Sequence, residues 1–573
     1  MAIHNSEIAG MFNRLADLLE IEGANPFRVR AYRNAARTVG GYSRNMADMV
    51  KEGKDLSELP EIGKDLARKI QTLVETGKLP LLKEVEARTP AALSDLMKIE
   101  GLGPKRVKIL YKELDIHSIE DLKRAARNGR IRELEGFGEK TEELIKQRIE
   151  RYSGAEQRIK LIIAQDIATP LLEYLKNSKG VKQITIAGSY RRRKETVGDL
   201  DILVSARQDS TVMDRFVDYD EVEEVIAHGK TRSTVRLRSG MQVDLRVVPQ
   251  VSYGAALHYF TGSKAHNIAV RKLGVKMGYK INEYGVFKND TRIAGKTEEE
   301  VYKAVDLPYI EPELREDRGE IDAARAGKLP RLITIKDIRG DLHAHTRASD
   351  GHSSLQEMAA AAASKGYEYL AITEHSQQVR VANGLDKKRL LQHIKAMDKL
   401  NDKLDDIRLL KSIEVDIMDD GSLDLPDSVL KQLDLRVCSI HYKFNLSRRK
   451  QTERVLRAMD NPHFNIFAHP SGRLINEREA YDIDLERIMQ GARERGCFLE
   501  VNAHPDRLDL TDDACLLARE IGVKVAISTD AHSVNDLDFM RFGIGQACRG
   551  WLTADDVINT RGLKKLQTLL KRD

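Results

Sequence analysis

Apolar residues recur at three- and four-residue spacing through IAGMFNRLADLLEI, starting at Ile8, and DLARKIQTLVETG, starting at Asp65. That spacing lays one apolar stripe along a helix, and it predicts helices up to about residue 155. The pattern then changes. QITIAGS (from Gln183), LDILVSAR (from Leu200) and STVRLRSGMQVDLRVV (from Ser233) are short runs rich in β-branched residues, which predict strands. Past residue 338, YLAIT, RLLKSIEV, LRVCSI, FNIFAH, FLEVNAH and KVAIST alternate with amphipathic helical stretches. Strand–helix alternation of that period predicts a parallel α/β barrel or sheet. Between these regions, Glu311–Asp337 is charged and carries Pro312 and Pro330, and it reads as the end of one unit followed by a linker.

A chain of 573 residues exceeds what one hydrophobic core supports, so the pattern describes several domains. No apolar run is long enough to span a bilayer, and MAIHNSEIAGMFNRL lacks the apolar stretch of a secretory signal. The expectation is a cytoplasmic protein with no membrane contact. Cys438, Cys497, Cys515 and Cys548 show no CxxC spacing and read as reduced thiols. The net charge of +5, from 94 basic and 89 acidic residues, permits nucleic-acid binding without arguing for it. Histidine changes the picture more. Ten of the 15 histidines fall between His343 and His532, so two different chemistries share the chain.

In the helical region a short phrase recurs: LPEIGKDLARKI at Leu59, IEGLGPKRVKIL at Ile99 and LEGFGEKTEELI at Leu134. Each has an apolar residue, a turn closing on glycine, and a helix whose free N–H groups can meet a phosphate. The phrase resembles the helix-hairpin-helix, a DNA-backbone grip. That resemblance implies DNA contacts at Gly63, Lys64, Gly101, Gly103, Lys105, Gly136 and Gly138. The first copy departs from the others in having Glu61 where they have Gly101 and Gly136.

IAGSYRRRKETVGDLDILV, from Ile186, ends a strand at Gly188-Ser189, where glycine lets a triphosphate approach, and then supplies Arg191, Arg192 and Arg193. Asp199 and Asp201 stand two apart on the next strand and so share a face. Two such carboxylates can hold two Mg²⁺ or Mn²⁺ ions, and Asp244 in MQVDLRVV is the candidate third carboxylate. GSYRRRKETVGDLDILV, VDLRVV, YFTGS and INEYGVF, in that order, resemble the palm and the fingers–thumb of family X DNA polymerases. The resemblance implies Asp199, Asp201 and Asp244 as metal carboxylates and Gly188, Ser189, Arg192 and Gly198 as triphosphate contacts. It also implies Tyr259, Phe260 and Gly262 along the sugar pocket, Asn267 at the base, and Arg271 at the template strand. The family often has an arginine where this chain has Gln242. NPFRVRAYRNAARTV and the segment LPEIGKDLARKIQTLVETGKLP resemble the small 5′-phosphate-binding domain of the same family. By that likeness Arg28, Tyr32 and Lys64 bind phosphate, and Lys69 occupies the position of a Schiff-base lyase lysine.

GDLHAHTRASDGHSS, from Gly340, concentrates metal-ligand side chains in one stretch. Further ligand types follow at strand ends: His375, Glu414, His441, His469, Asp530 and His532. Strand ends of a barrel converge on one axial pocket. These motifs resemble the PHP phosphoesterase domain. The resemblance implies three divalent metals, of Zn²⁺, Mn²⁺ or Fe type. His343, His345, Glu414 and Asp530 would hold the first, and Glu414 would bridge to a second on His441 and His469. Asp350, His375 and His532 would hold the third. His352, His393 and His463 read as structural, and His504 stands where the motif suggests asparagine, as an extra substrate contact.

The expected fold is therefore multidomain, with an α-helical helix-hairpin-helix region, an α+β nucleotidyltransferase palm and a C-terminal distorted (β/α)7 PHP barrel. Expected boundaries are 1–90 for the 5′-end-binding domain, 91–155 for the fingers, 156–250 for the palm, 251–315 for a thumb-like subdomain, 316–337 for a linker and 338–573 for the PHP domain. The implied function is template-directed gap filling in DNA repair, joined to a metal-dependent 3′–5′ exonuclease, abasic-site endonuclease or 3′-end phosphoesterase. The partners would be gapped or primer–template DNA and dNTPs, with the protein acting as a monomer. Two rivals are a small-molecule PHP phosphatase on a degenerate polymerase scaffold and a DNA-binding scaffold with both sites silent. Gapped duplex incubated with and without dNTPs separates all three.

Overall fold

A computed structural model describes residues 3, 5–40, 42, 46–90, 92–97, 99, 101–154 and 158–572. The N-terminal region is helical throughout, from Asn5–Glu22 to Glu139–Gly154. The three hairpins close in the same way. The amides of Ile62, Leu102 and Phe137 donate to the carbonyls of Leu59, Ile99 and Leu134 at 3.1, 3.0 and 3.0 Å. The three donor residues are buried, so each turn is pinned from below while its glycine-led helix start faces outward. Gly101 and Gly136 have φ of 86° and 80°, and Glu61 adopts the same left-handed region at 57°. The departure in the first copy thus keeps the turn, at the steric cost a side chain meets there. The Glu61 carboxylate accepts from Asn34 Nδ2 at 3.0 Å.

The palm is a five-stranded sheet ordered Val181–Ile186, Asp199–Ala206, Gln242–Val248, Arg232–Leu237, Val222–His228. Alternation on Asp199–Ala206 decides the two faces. Leu200, Ile202 and Val204 enter the core formed with Ala164, Ile167 and Leu171 of the helix Leu161–Lys176. Asp199 and Asp201 take the other face. Past the palm, the helices Tyr253–Thr261 and Lys264–Lys276 precede a three-stranded antiparallel sheet over Tyr279–Asn282, Gly285–Lys288 and Thr291–Ala294. The segment 316–337 carries the short helix Glu320–Arg325, with Glu320, Ala324 and Ile333 buried.

The C-terminal half is a parallel seven-stranded barrel whose strands neighbour in chain order, from Gly340–Asp341 to Val525–Ser528. A parallel bridge between Ala344 and Ala531 brings the first and last segments together. Tyr369, Leu410, Val437, Ile466, Phe498 and Ala526 fill one apolar cluster with Leu566 and Leu570 of the helix Leu563–Leu570. That helix lies at the strand starts, since Asn465, just before the strand Ile466–Phe467, donates to the Leu570 carbonyl at 2.8 Å. The strand ends are left free for chemistry. Palm and barrel are bound to each other by Lys160, which meets Glu477 and Asp506 at 2.6 Å each, and by Arg473 on Glu195 at 2.6 Å. Among the described residues no helix is long and apolar enough to cross a membrane.

The thumb depends on one buried carboxylate. Glu298 accepts from Arg191 and from the wholly buried Arg315, each at 2.6 Å. Burial would raise its pKa, but Arg191 and Arg315 outweigh that and hold the carboxyl from its ordinary 4.5 down at about 2. Its stabilising contribution is therefore complete above pH 4.5 and is lost as pH falls toward 2. Glu298→Gln leaves Arg315 buried without a counter-charge and is expected to cost about 3 kcal/mol. The denaturant midpoint at neutral pH checks this, and a change below about 1 kcal/mol would contradict the arrangement.

Candidate metal centres

In the palm, strand pairing assembles the first centre. Asp199 and Asp201 lie on one face, and Asp201 stands opposite Asp244 in the neighbouring parallel strand. Each can offer an oxygen within 4.8 Å of the others, the spacing of a shared cation. Burial, then Asp199 and Asp244, push the Asp201 carboxyl up to about 7. Three acids this close want a divalent cation. Asp244 is held by three donors: Thr234 Oγ1 at 2.6 Å, Arg232 Nη2 at 3.2 Å and Gln242 Nε2 at 3.2 Å. Arg232 and Thr234 sit on the adjacent antiparallel strand, with Thr234 directly across from Asp244. Where Gln242 replaces an arginine, a guanidinium still reaches Asp244, from Arg232. Sequence reading missed Arg232 because cross-strand neighbours are remote along the chain.

Gly188 is required for a reason beyond nucleotide approach. Its φ is 62°, and a Cβ there would stand 2.7 Å from an Asp201 carboxylate oxygen. Ser189 lies in the same short helical turn, Gly188–Arg191, and Gly198 directly precedes the strand that carries Asp199. Arg192 donates to the Thr261 carbonyl at 2.6 Å and to Glu316 at 2.9 Å. Tyr259 and Phe260 pack edge to face at 5.1 Å, with Arg246 over the Phe260 ring at 4.5 Å. Asn267 is turned onto backbone: its Nδ2 donates to the Tyr259 carbonyl at 2.6 Å, and it lies against Gly262. Arg271 is exposed on the helix Lys264–Lys276.

Among the N-terminal candidates, Arg28, Gly63, Lys64, Gly101, Gly103, Lys105, Gly136 and Gly138 are exposed. Tyr32 is buried against Phe12, with ring centroids 5.8 Å apart. Lys69 is half-buried and paired with the Asp65 carboxylate, and its ammonium lies 5.8 Å from the Tyr32 ring centre.

The barrel gathers all nine candidate ligands at its strand ends. Glu414, 1% exposed, is the hub. One oxygen lies 2.8 Å from His375, 3.5 Å from His343 and 3.6 Å from His345, and the other lies 3.0 Å from His469 and 3.4 Å from His441. Asp530 approaches His345 and His343 at 3.3 and 3.5 Å. Asp350 approaches His375 and His532 at 3.4 and 3.6 Å. Three overlapping groups can each hold a cation: His343, His345 and Asp530; His375, Glu414 and His441; and His345, Asp350, His375 and His532. Here His345 and His375 each serve two groups, whereas the expected sets shared Glu414, which joins one group, and used His469, which joins none of them.

The chemistry of these side chains fits metals. His343 Nε2 and both ring nitrogens of His345 are buried with no hydrogen-bond partner, and His375 Nδ1 lies 2.8 Å from Glu414 Oε2 without hydrogen-bond geometry. Such groups are costly to bury unless something binds them. The mixed nitrogen and oxygen donors suit Zn²⁺, Mn²⁺ or Fe. Protons alone would leave the cluster at odds with itself. Burial, then His532 and His375, drives His345 down to about 4. Burial also disfavours charge on His532, yet Asp350 and Asp530 lift it to about 9. Glu414 lies near the end of the strand Arg408–Asp416, whereas Asp530 lies past the end of the last strand at Ser528 and has φ of 55°. Strain of this kind gathers at functional sites.

Two carboxylates behind the ligands escaped sequence reading. Glu500 accepts from His343 Nδ1 at 2.7 Å and from the His469 amide at 2.8 Å, leaving His343 Nε2 aimed at the cluster. Asp416 faces His441 Nδ1 at 3.1 Å. An acid inside the wholly buried strand Phe498–Asn502 was the signal for Glu500. His504 is outside the cluster, with its ring edge-on to Phe539 at 5.1 Å and its Nδ1 accepting from the Asp506 amide. His352 lies beside the cluster, its amide donating to the His532 carbonyl. His393 pairs with Glu374 at 3.4 Å, and His463 forms none of the metal-holding groups.

With this geometry in hand, comparison with known proteins is decisive. The chain matches the DNA polymerase beta palm over 164–244 and the DNA polymerase beta thumb over 256–316. It matches a helix-hairpin-helix domain over 3–79, a SAM-like helix-hairpin-helix tandem over 93–151 and a PHP domain over 341–504. It is 38% identical, over the full length of both chains, to the DNA polymerase/3′-5′ exonuclease PolX of Bacillus subtilis (strain 168). The chain belongs to the family X DNA polymerases that carry a PHP domain. Its PHP half alone is 30% identical over 243 residues to a probable phosphatase of Thermoanaerobacter sp. (strain X514), covering 40% of this chain and 94% of that protein. The chain thus joins a polymerase palm to a domain that resembles separate proteins.

Within this chain, Glu500 orients a ligand without joining the cluster. Glu500→Gln removes the charge that holds His343 and is expected to weaken metal retention about ten-fold or more. Metal content after dialysis against graded chelator measures this. Retention equal to wild type would mean that Glu500 does not set the ligand.

Proposed function

We propose that the chain fills short gaps in DNA during repair and trims 3′ ends through its PHP half. The observation that carries the polymerase reading is the Asp199–Asp201–Asp244 cluster beside the Gly188–Arg192 turn. Divalent cations held there would supply charge neutralisation for the triphosphate and activation of the primer 3′-OH. The protein groups would do the placing. Arg232, Thr234 and Gln242 fix Asp244, while Gly188, Ser189, Arg192 and Gly198 receive the triphosphate. Tyr259, Phe260 and Gly262 would flank the sugar, Asn267 would meet the base after turning from the Tyr259 carbonyl, and Arg271 would meet the template. The exposed helix starts at Gly63, Gly103 and Gly138, with Lys64 and Lys105, offer amides and cations to backbone phosphates without reading sequence. Arg28 would add a phosphate contact, Tyr32 would have to turn out of its packing on Phe12 to do so, and Lys69 would act as a lyase amine once released from Asp65.

For the PHP half, the buried cluster around Glu414 supports metal-dependent hydrolysis of a phosphate ester, and the PolX relative's name points to 3′–5′ exonuclease action. The similarity to probable phosphatases favours a second reading, in which the substrate is a terminal or small phosphate ester. We place both activities in a cytoplasmic monomer.

Asp199→Ala with Asp201→Ala is expected to abolish nucleotide insertion into a gapped duplex in Mn²⁺ while end trimming continues. His343→Ala with His345→Ala is expected to reverse that outcome, with loss of bound metal and insertion within a few-fold of wild type. Each pair belongs to a different cluster of candidate ligands. Insertion surviving the first change, or trimming surviving the second, would remove that assignment. Hydrolysis of small phosphate esters without DNA trimming would favour the second reading.

A further inference from the structure

The helix Met540–Arg549 belongs to the barrel half, yet it lies against the arginine-bearing turn of the palm. Two glycines allow both contacts. A Cβ at Gly543 would stand 2.6 Å from Ala503 Cβ and 2.7 Å from Ile527 Cγ2, so that side is pressed on the barrel. A Cβ at Gly545 would stand 3.0 Å from Arg193 Cδ, so the other side is pressed on the palm. At the helix end, Arg549 is 2% exposed. Its Nη1 donates to the Arg192 carbonyl and to Glu316 Oε1, both at 2.9 Å, and its Nη2 donates to Asp512 at 2.5 Å.

The same Glu316 oxygen accepts from Arg192 Nε at 2.9 Å. One half-buried carboxylate is therefore shared between a palm arginine and a barrel arginine. Arg318 completes the chain of charges by meeting Asp512 at 3.1 Å. Glu316 anchors Arg192, but it is also a rival anion: a triphosphate would compete for the guanidinium whose Nε Glu316 holds. Arg549 weakens that rivalry by taking a share of the Glu316 charge, and it fixes the Arg192 backbone directly. At such burial these interactions are little screened by salt.

We infer that Arg549, in the PHP half, is a positioning residue for polymerisation, tuning how strongly Glu316 competes with the dNTP triphosphate for Arg192. This rests on the reading of Arg192 as a triphosphate contact. Arg549 touches neither substrate nor metal ligand; it acts through Glu316 and the Arg192 carbonyl.

The test is steady-state single-nucleotide gap filling by the full chain, with end trimming followed on the same preparation. Arg549→Met is expected to raise the KM for dNTP about ten-fold with kcat within about two-fold and trimming unchanged. Arg549→Lys should recover some of the loss. Glu316→Gln alone should lower that KM, and in the Arg549→Met background it should restore it, which a merely structural role would not do. The Glu316→Gln arm also decides the matter should Arg549→Met fail to fold. An unchanged KM in Glu316→Gln, or equal losses in kcat and trimming for Arg549→Lys, would overturn the inference. Arg192→Gln separates the premise: if it leaves the dNTP KM unmoved, the assignment of Arg192 falls and this proposal with it. If Arg192→Gln raises KM and Arg549→Met does not, only the role of Arg549 falls.

Discussion

A single carboxylate with almost no access to water, Glu414, stands within 3.6 Å of five imidazoles. Leaving that charge unpaired in the barrel would be prohibitive, and leaving several ring nitrogens without partners beside it compounds the cost. The barrel accepts this because its interior is already closed at the opposite end by Leu566 and Leu570, so all polar demand collects at the strand ends. Glu500 and Asp416, themselves buried, fix the rings from behind. The fold is thus built around a deficit of positive charge that divalent cations make good.

The palm meets the same constraint on a smaller scale. Its three acids are set by strand register, and the pressure among them shows in Asp201, whose pKa is lifted to about 7. The two deficits lie in separate layers of one body, because Lys160, Arg473 and Arg549 tie palm to barrel through buried or half-buried ion pairs. Such pairs give geometry more than stability. Here the geometry places the end of a barrel helix against the turn that carries Arg192.

Much of this was legible in the chain. Asp199 and Asp201 announce a shared face because strand periodicity is two, and the barrel ligands announce a pocket because each follows an apolar strand run. The family follows from those motifs in order. What stayed hidden works through neighbours in space. Arg232 reaches Asp244 across a strand pair, and nothing in MQVDLRVV points to it. Glu61 adopts a backbone conformation usually left to glycine, which its identity does not advertise. Glu311–Asp337 reads as the end of a unit and a linker, yet Arg315 and Glu320 are fully buried, Arg315 on Glu298 and Glu320 on His266. A charge paired inside a fold looks the same in sequence as one in water. His345 and His375, each shared between groups, also lie beyond the motifs, which suggested sharing at Glu414 alone.

The central claim is that one chain carries two separate metal centres, one between palm acids and one around Glu414. Anomalous scattering from crystals grown with Mn²⁺ tests it most directly, because it locates the metal without reference to activity. The account predicts peaks at two places, one among Asp199, Asp201 and Asp244 and a closely spaced group among Glu414 and its histidines. Peaks at only one of these places, or none beside Glu414 in crystals that hold manganese at the palm, would contradict it.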